Sequence, residues 1–336
     1  MGLQRDAASS SAHGGQGFII TAHMTNAVWM LVLGFAVSAL GADIRLGIIG
    51  TDTSHVPALA RMLNDPGAPD HVAGARVVAA YKGGSKELEL SSSRVDTYAE
   101  QIRTKYGIEM VPDIPTLLSR VDGVLLTSVD GRVHLEQARL VIAAHKPLFI
   151  DKPLATTLED AREIARLAKE AAVPWFSSSS LRFQSIAASK FPDTQGVLVW
   201  GPGPFQPHHY LDLSFYAIHA IELLYTIMGP GCETVTRIAS PSADTVVGLW
   251  KDGRTGTVRA NRTSRDIGVV TFRVNDVVES HPKATTGAET ALTEEIVKFF
   301  QTGKPPVPNQ ETLEIFAFMD AAQRSKEQGG KPVALR

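Results

Sequence analysis

The apolar run Leu148-Phe149-Ile150 ends in Asp151-Lys152-Pro153-Leu154. It reads as a buried strand that delivers an acid and a lysine to a sheet edge. Ligands of an open α/β sheet bind outside the carboxyl ends of its strands. Pro153 lacks a backbone donor and has a fixed φ, so the strand stops there and Lys152 is held at a defined place. An ammonium in that position lowers the cost of negative charge developing on a substrate oxygen as a proton leaves. A solvated lysine at a strand end is the plain alternative, and the order of the surrounding elements decides between the two.

A second group follows the first apolar strand: Gly50-Thr51-Asp52-Thr53-Ser54-His55. A dinucleotide turn has the form G-x-G-x-x-G/A, which lets the backbone approach a pyrophosphate at a helix N-terminus. Of the three glycines only Gly50 is present. If a dinucleotide binds, its pyrophosphate is expected on the N–H groups of Thr51 to Ser54, with Asp52 turned away. The affinity is expected to be weaker than at a glycine-complete turn. Asp52 could otherwise be an ordinary helix-start acid, favoured by the macrodipole; beside phosphates, His55 or a cation would have to offset its charge. Tyr81-Lys82-Gly83-Gly84 stands where an acidic ribose ligand is expected. Lys82 there favours a 2′-phosphate, and hence NADP, or is solvated.

His208, His209 and Asp212 follow the Gly/Pro-rich loop Gly201 to Pro207, with His209 and Asp212 three residues apart. A catalytic zinc site wants three protein ligands, so His209 and Asp212 read as substrate-pocket lining and no metal is assigned. The serine run Ser177 to Ser180 lacks the G-x-S-x-G frame of a nucleophile.

Alternating elements must position these groups. Strands are expected at 44–50, 76–81, 108–111, 123–128, 148–150 and 173–177. Helices are expected at 56–63, 98–106, 114–119, 134–144 and 158–172. That alternation indicates a parallel, doubly wound sheet, a Rossmann-type domain over residues 43–180. After Ser180 the pattern changes. Strands cluster at 197–200, 234–239, 245–250, 255–261 and 268–274, with Asp252-Gly253 as a hairpin turn. Helices are expected at 211–228, 292–300 and 312–326. Residues 181–336 therefore read as an α+β domain on an open, mostly antiparallel sheet, with the last helix near the domain junction. The fold class is α/β.

The chain has 336 residues, 44% hydrophobic and 20% charged, which suits about two domains. Its net charge of −2 offers no global basic field, so nucleic acid is not an expected partner. Cys232 is the single cysteine, which excludes an intramolecular disulfide. Ala27 to Leu40 is apolar but too short for a comfortable membrane span. The small residues Ala39-Leu40-Gly41-Ala42 follow, the pattern of a secretory signal. Residues 1–42 read as a leader, with Met24 as a possible start. The expected address is periplasmic or secreted, or cytoplasmic if the leader is not cleaved.

Taken with their order, four stretches resemble the Gfo/Idh/MocA family of NAD(P)-dependent oxidoreductases, which includes glucose–fructose oxidoreductase and inositol dehydrogenase. They are Leu46 to Gly50, Thr127-Ser128-Val129-Asp130-Gly131-Arg132-Val133-His134, Asp151-Lys152-Pro153, and the tail from Gly303-Lys304-Pro305-Pro306 to Gly330. The resemblance implies NAD or NADP in the first domain and a sugar, polyol or sugar derivative over the second sheet. It implies hydride transfer between nicotinamide and a carbinol carbon. Lys152 and His219 would be catalytic, with Tyr216 and Arg182 on the substrate. Ser128, His134 and Asp151 would join Gly50 to His55 and Lys82 around the cofactor. A homo-oligomer is also expected. His219, in Tyr216-Ala217-Ile218-His219-Ala220-Ile221-Glu222, suits a general base near neutral pH; a core histidine on an apolar helix is the alternative. The family's aspartate four residues earlier is Phe215 here, so Tyr216 or Glu222 is expected to take part of its role. Two alternatives stay open: an NAD-assisted glycosidase of the same fold, and a degenerate member that binds a ligand without turnover.

Overall fold

The computed structural model describes residues 42–206, 211–282 and 287–336. In chain order the first sheet and its helices are β1 (Ile44–Ile49), α1 (His55–Asn64), β2 (Ala75–Tyr81), α2 (Glu89–Ser92), α3 (Val95–Tyr106), β3 (Glu109–Val111), α4 (Ile114–Leu118), β4 (Gly123–Leu126), α5 (His134–Ala143), β5 (Leu148–Asp151), α6 (Leu158–Glu170) and β6 (Trp175–Ser178). The strand order is β3-β2-β1-β4-β5-β6, and every pairing is parallel. β4, β5 and β6 are buried along their whole length. Helices cover both faces of such a sheet, so its strands must be apolar throughout rather than alternating. The order reverses between β1 and β4. The β1–α1 turn and the loop after β4 therefore flank the crevice in which a doubly wound sheet binds its ligand.

Helix ends are set locally. Thr157 caps α6 by accepting from the Asp160 N–H at 3.0 Å, and Asp113 caps α4 through Thr116 at 2.7 Å. Gly107 closes α3 at φ 66°.

The second sheet comprises β7 (Thr194–Pro202), β8 (Cys232–Ala239), β9 (Ala243–Trp250), β10 (Thr255–Asn261), β11 (Gly268–Arg273), β12 (Val277–Ser280) and β13 (Val333–Ala334). Its helices are α7 (Ile218–Met228), α8 (Ala288–Thr302) and α9 (Asn309–Glu327). The order is β12-β11-β7-β10-β9-β8-β13, open and antiparallel except for β7 with β10. The Asp252-Gly253 turn joins β9 to β10, with Gly253 at φ 86°. One face of the sheet is buried under α7 and α9 through residues such as Val235, Val246 and Val258. α9 also packs on β6 and α6, so it sits at the junction of the two sheets as expected.

The expected helix over 211–228 is shorter: residues 211–217 form turns and α7 starts at Ile218. The Leu211 N–H bonds the Thr156 carbonyl, and the Ser214 hydroxyl bonds back to Leu211. Asp212 is drawn off to Arg237 and Lys326. These tertiary bonds outweigh the apolar helical pattern. α2, β12 and β13 had no counterpart in the sequence reading.

Among the described residues no helix is long and apolar enough to cross a membrane. The leader, residues 1–42 in the sequence reading, lies outside them but for Ala42, and so does His209.

Candidate active site

β5 carries Asp151 as its last residue, and Lys152 follows it at the sheet edge. α7 presents His219 one residue after its start. Both line one cavity together with His55 of α1, Ser180, and Glu289, Leu292 and Thr293 of α8. The cavity measures about 30 Å³, room for a water or two rather than a substrate.

His55 Nδ1 lies 2.5 Å from Asp151 Oδ2, and Asp151 is 5% exposed. Burial alone would raise the Asp151 carboxyl. The charge and hydrogen bond of His55, with the charge of Lys152, outweigh it and hold the group at about 2. Asp151 also accepts from the Lys152 N–H at 2.8 Å, which fixes the backbone that carries the ammonium.

His219 is partly buried, and Nδ1 sits 2.6 Å from Ser179 Oγ. Burial, then the neighbouring charges of Lys152 and His55, push its proton affinity well below the ordinary histidine value, against the opposing pull of Asp151. The ring is neutral near pH 7. With Nδ1–H donated to Ser179 Oγ, Nε2 carries the lone pair that a base needs. Tyr216 stacks edge-on to His219 with ring centroids 5.1 Å apart, and Lys152 Nζ lies 5.9 Å from the Tyr216 ring centre.

The imidazole partner is Ser179, which the sequence reading set aside. Glu222 does not touch the ring. It accepts from the Ser179 N–H at 3.0 Å and from Arg182 Nε at 2.7 Å, so it holds the serine in place. The only signal for Ser179 in the sequence was its place at the end of β6, beside the strand that bears Lys152.

Other expected site residues lie elsewhere. Arg182, expected on the substrate, is 6% exposed and locked between Glu222 and Glu311. Asp212, expected in the substrate pocket, pairs with Arg237 of β8 at 3.0 Å and Lys326 of α9 at 2.6 Å and does not line the cavity. Lys82 pairs on the surface with Asp96 of α3 at 2.7 Å. His134 is fully buried, with Nε2 2.7 Å from the Ser128 carbonyl and Nδ1 3.2 Å from that of Leu154. It staples the loop after β4 to the loop after β5 and does not line the cavity. A neutral ring can donate to only one of these carbonyls, and that of Ser128 is nearer.

The β1–α1 turn is buried. Gly50 has φ 90°, and an added Cβ would meet the Ser128 nitrogen at 2.4 Å, so only glycine fits. Thr51 Oγ1 donates to the Val95 carbonyl at 2.9 Å. The carboxylate of Asp52, fully buried, accepts from Ser91 Oγ at 2.5 Å and from the Val129 N–H at 3.0 Å. Ser128 Oγ donates to Gln137. The Ser54 side chain makes no cap bond to α1.

A family model described as an oxidoreductase family with an NAD-binding Rossmann fold, Gfo/Idh/MocA, matches residues 44–178. Residues 44–178 are thus similar to the NAD-binding domain of the Gfo/Idh/MocA oxidoreductase family. Solved structures share its fold along nearly the whole described length. GenD2 from gentamicin A biosynthesis, in complex with NAD, is 15% identical with a TM-score of 0.71, covering 88% of this chain and 97% of its own. The myo-inositol 2-dehydrogenase of Lactobacillus plantarum is 16% identical with a TM-score of 0.69, covering 88% and 100%. The scyllo-inositol dehydrogenase of Lactobacillus casei is 13% identical with a TM-score of 0.70, covering 87% and 98%. No curated protein matches by sequence.

The cofactor, NAD or NADP, fits the first domain in outline. Gly50 gives the tight turn, α1 begins directly after it, and Lys152 stands at the carboxyl end of β5. Backbone N–H groups of the turn and Lys152 would hold it. The Asp52 carboxylate is the misfit, because it stands at the second position of the glycine pattern.

Proposed function

We propose that this protein oxidises or reduces a carbinol carbon of a sugar, polyol or sugar derivative with NAD or NADP. The observation that carries the reading is the convergence of Lys152 and His219, from two different sheets' elements, on one cavity. The names of the similar inositol dehydrogenases support the substrate class.

The cofactor, when bound, supplies the hydride acceptor. Lys152 stabilises negative charge on the substrate oxygen as its proton leaves. His219 Nε2 takes that proton, while Ser179 fixes the imidazole through Nδ1. Tyr216 walls the ring on one side, and the apolar residues of α8 exclude water on another. A depressed proton affinity keeps His219 unprotonated at neutral pH, ready to accept. Incubating the purified protein with a panel of sugars and polyols and each oxidised cofactor tests the reading. Reduced nicotinamide is expected with at least one of them, and none with either cofactor would refute it.

A homo-oligomer is part of the proposal. Phe272 of β11 pairs with Val277 of β12, and the same row runs through Gly196 and Thr255 to Leu249 of β9. Paired residues share a face, and Phe272, Val277 and Leu249 are 43%, 62% and 45% exposed. Exposed large apolar side chains on one sheet face favour burial against a second copy. Light scattering is expected to give a multiple of the chain mass, and Phe272→Asp with Leu249→Asp a monomer. Export through the leader 1–42 is likewise proposed, and mass spectrometry of the mature chain from its native host reads it.

A further inference from the structure

We propose that Asp52 is a self-ligand of the dinucleotide seat: its carboxylate occupies the position of the pyrophosphate and must leave before NAD or NADP can bind. This rests on the NAD(P) reading above and adds a residue that controls affinity.

Asp52 stands at the second glycine of G-x-G-x-x-G, the position whose missing side chain normally lets the pyrophosphate approach the turn. Its carboxylate does what a phosphate would do there. It is an anion two residues before the Ser54 N-cap of α1, and it accepts the Val129 N–H from the loop after β4, across the crevice between β1 and β4. Its other oxygen accepts from Ser91 Oγ of α2. Three segments are thus joined at one buried anion: the β1–α1 turn, α2 and the loop after β4. Thr51 Oγ1 adds a bond to the Val95 carbonyl at the start of α3, closing the same side.

Among the described residues no Lys, Arg or His lies within ion-pair distance of this carboxylate. The Val129 N–H and Ser91 hydroxyl satisfy it instead, and a diphosphate could accept from the same donors once the carboxylate had left. The two anions cannot share the seat, because like charges at contact distance in a buried site repel strongly.

The covering segment has somewhere to go. On the outer side of residues 87–93 lies a groove of about 590 Å³, bounded across from them by Gln206 and Phe215. Ser91 Oγ bonds Asp52 and accepts from the Ser85 N–H, and Leu88, 2% exposed, anchors the segment. Opening therefore means breaking the Ser91–Asp52, Val129–Asp52 and Thr51–Val95 bonds and the ties of Arg132 to Glu87 and Ser85, and shifting 85–95 outward. The cavity beside Lys152, about 30 Å³, is too small for a nicotinamide, which fits the same closed state.

Calorimetry of the full chain with NADH and with NADPH tests this, using wild type, Asp52→Gly and Ser91→Ala. Asp52→Gly is expected to bind at least one cofactor ten-fold or more tighter than wild type, and Ser91→Ala several-fold tighter. If Asp52→Gly does not fold, Ser91→Ala decides. Hydrogen exchange is the second readout. In wild type, saturating cofactor is expected to speed amide exchange in residues 85–95. Equal binding by wild type and variants, with unchanged exchange there, overturns the self-ligand and leaves the oxidoreductase reading standing. No binding by any of the three overturns both.

Discussion

At the residue scale, the acid–base group of this protein is organised differently from the pattern that its sequence evokes. Phe215 replaces the expected aspartate one turn before His219, and the imidazole takes Ser179 as partner instead. A hydroxyl orients a histidine without adding charge, so His219 keeps a depressed proton affinity. Ser179→Ala is expected to lower kcat about ten-fold with KM little changed, because it loosens the base and leaves the cavity wall in place. Its pH–rate profile should shift in the acid limb; an unchanged profile would remove Ser179 from the mechanism. Lys152 and Asp151 were legible in the sequence, because an apolar run ending in Asp-Lys-Pro has few structural readings. Ser179 was not, because its partner lies 40 residues away and serine carries no spacing signature. Asp52 was recognised as a misfit in the turn. Its bonds to Ser91 and Val129 could not be read, since both are long-range.

At the element scale, the β6–α7 junction carries the most buried charge near the site. Arg182 is held by Glu222 at 2.7 Å and Glu311 at 2.7 Å, all three side chains 13% exposed or less. Removing one carboxylate from such a group leaves a guanidinium only half compensated. Glu222→Ala is expected to cost about 3 kcal/mol in urea unfolding. It should also disturb His219 through the Ser179 N–H that Glu222 accepts. A loss below about 1 kcal/mol would show that Glu311 alone suffices. The sequence placed Arg182 in the cleft by resemblance. Burial reversed that, because two acids from α7 and α9 reach it first. The elements themselves were largely legible: every strand of the parallel sheet was expected within a few residues, since buried parallel strands are unbroken apolar runs. The helix expected from Leu211 failed because apolar periodicity does not report competing side-chain bonds such as those of Asp212. The four-residue α2 and the edge strands β12 and β13 are too short for any period to show.

At the scale of the whole molecule, the buried histidines set the response to acid. His134 and His219 both have proton affinities below the ordinary value of 6.5, in each case chiefly through burial. The unfolded chain then binds more protons as pH falls through about 6.5, so folded stability is lost between about pH 7 and 5. Asp52 acts in the opposite sense. Burial raises its carboxyl above 3.8, so the cost of its charge is relieved as pH falls. Asp151, held at about 2, contributes stability above its unfolded value near 4 and loses it between about pH 4 and 2. The thermal midpoint is expected to fall from pH 7 to 5, and less steeply in His219→Gln. A midpoint that rises over that range would mean that Asp52 outweighs the histidines.

The central claim is that Lys152 and His219 act on one substrate oxygen while hydride passes to a nicotinamide. Its most direct measurement is the rate of cofactor reduction by wild type and Lys152→Ala, on whichever sugar or polyol of the panel turns over. Lys152 is partly exposed and holds no ion pair among the described residues, so its truncation should leave the thermal midpoint almost unchanged. The expected result is a fall in kcat of about 100-fold or more with folding intact. A Lys152→Ala protein that is equally stable and turns over within a few-fold of wild type would contradict it.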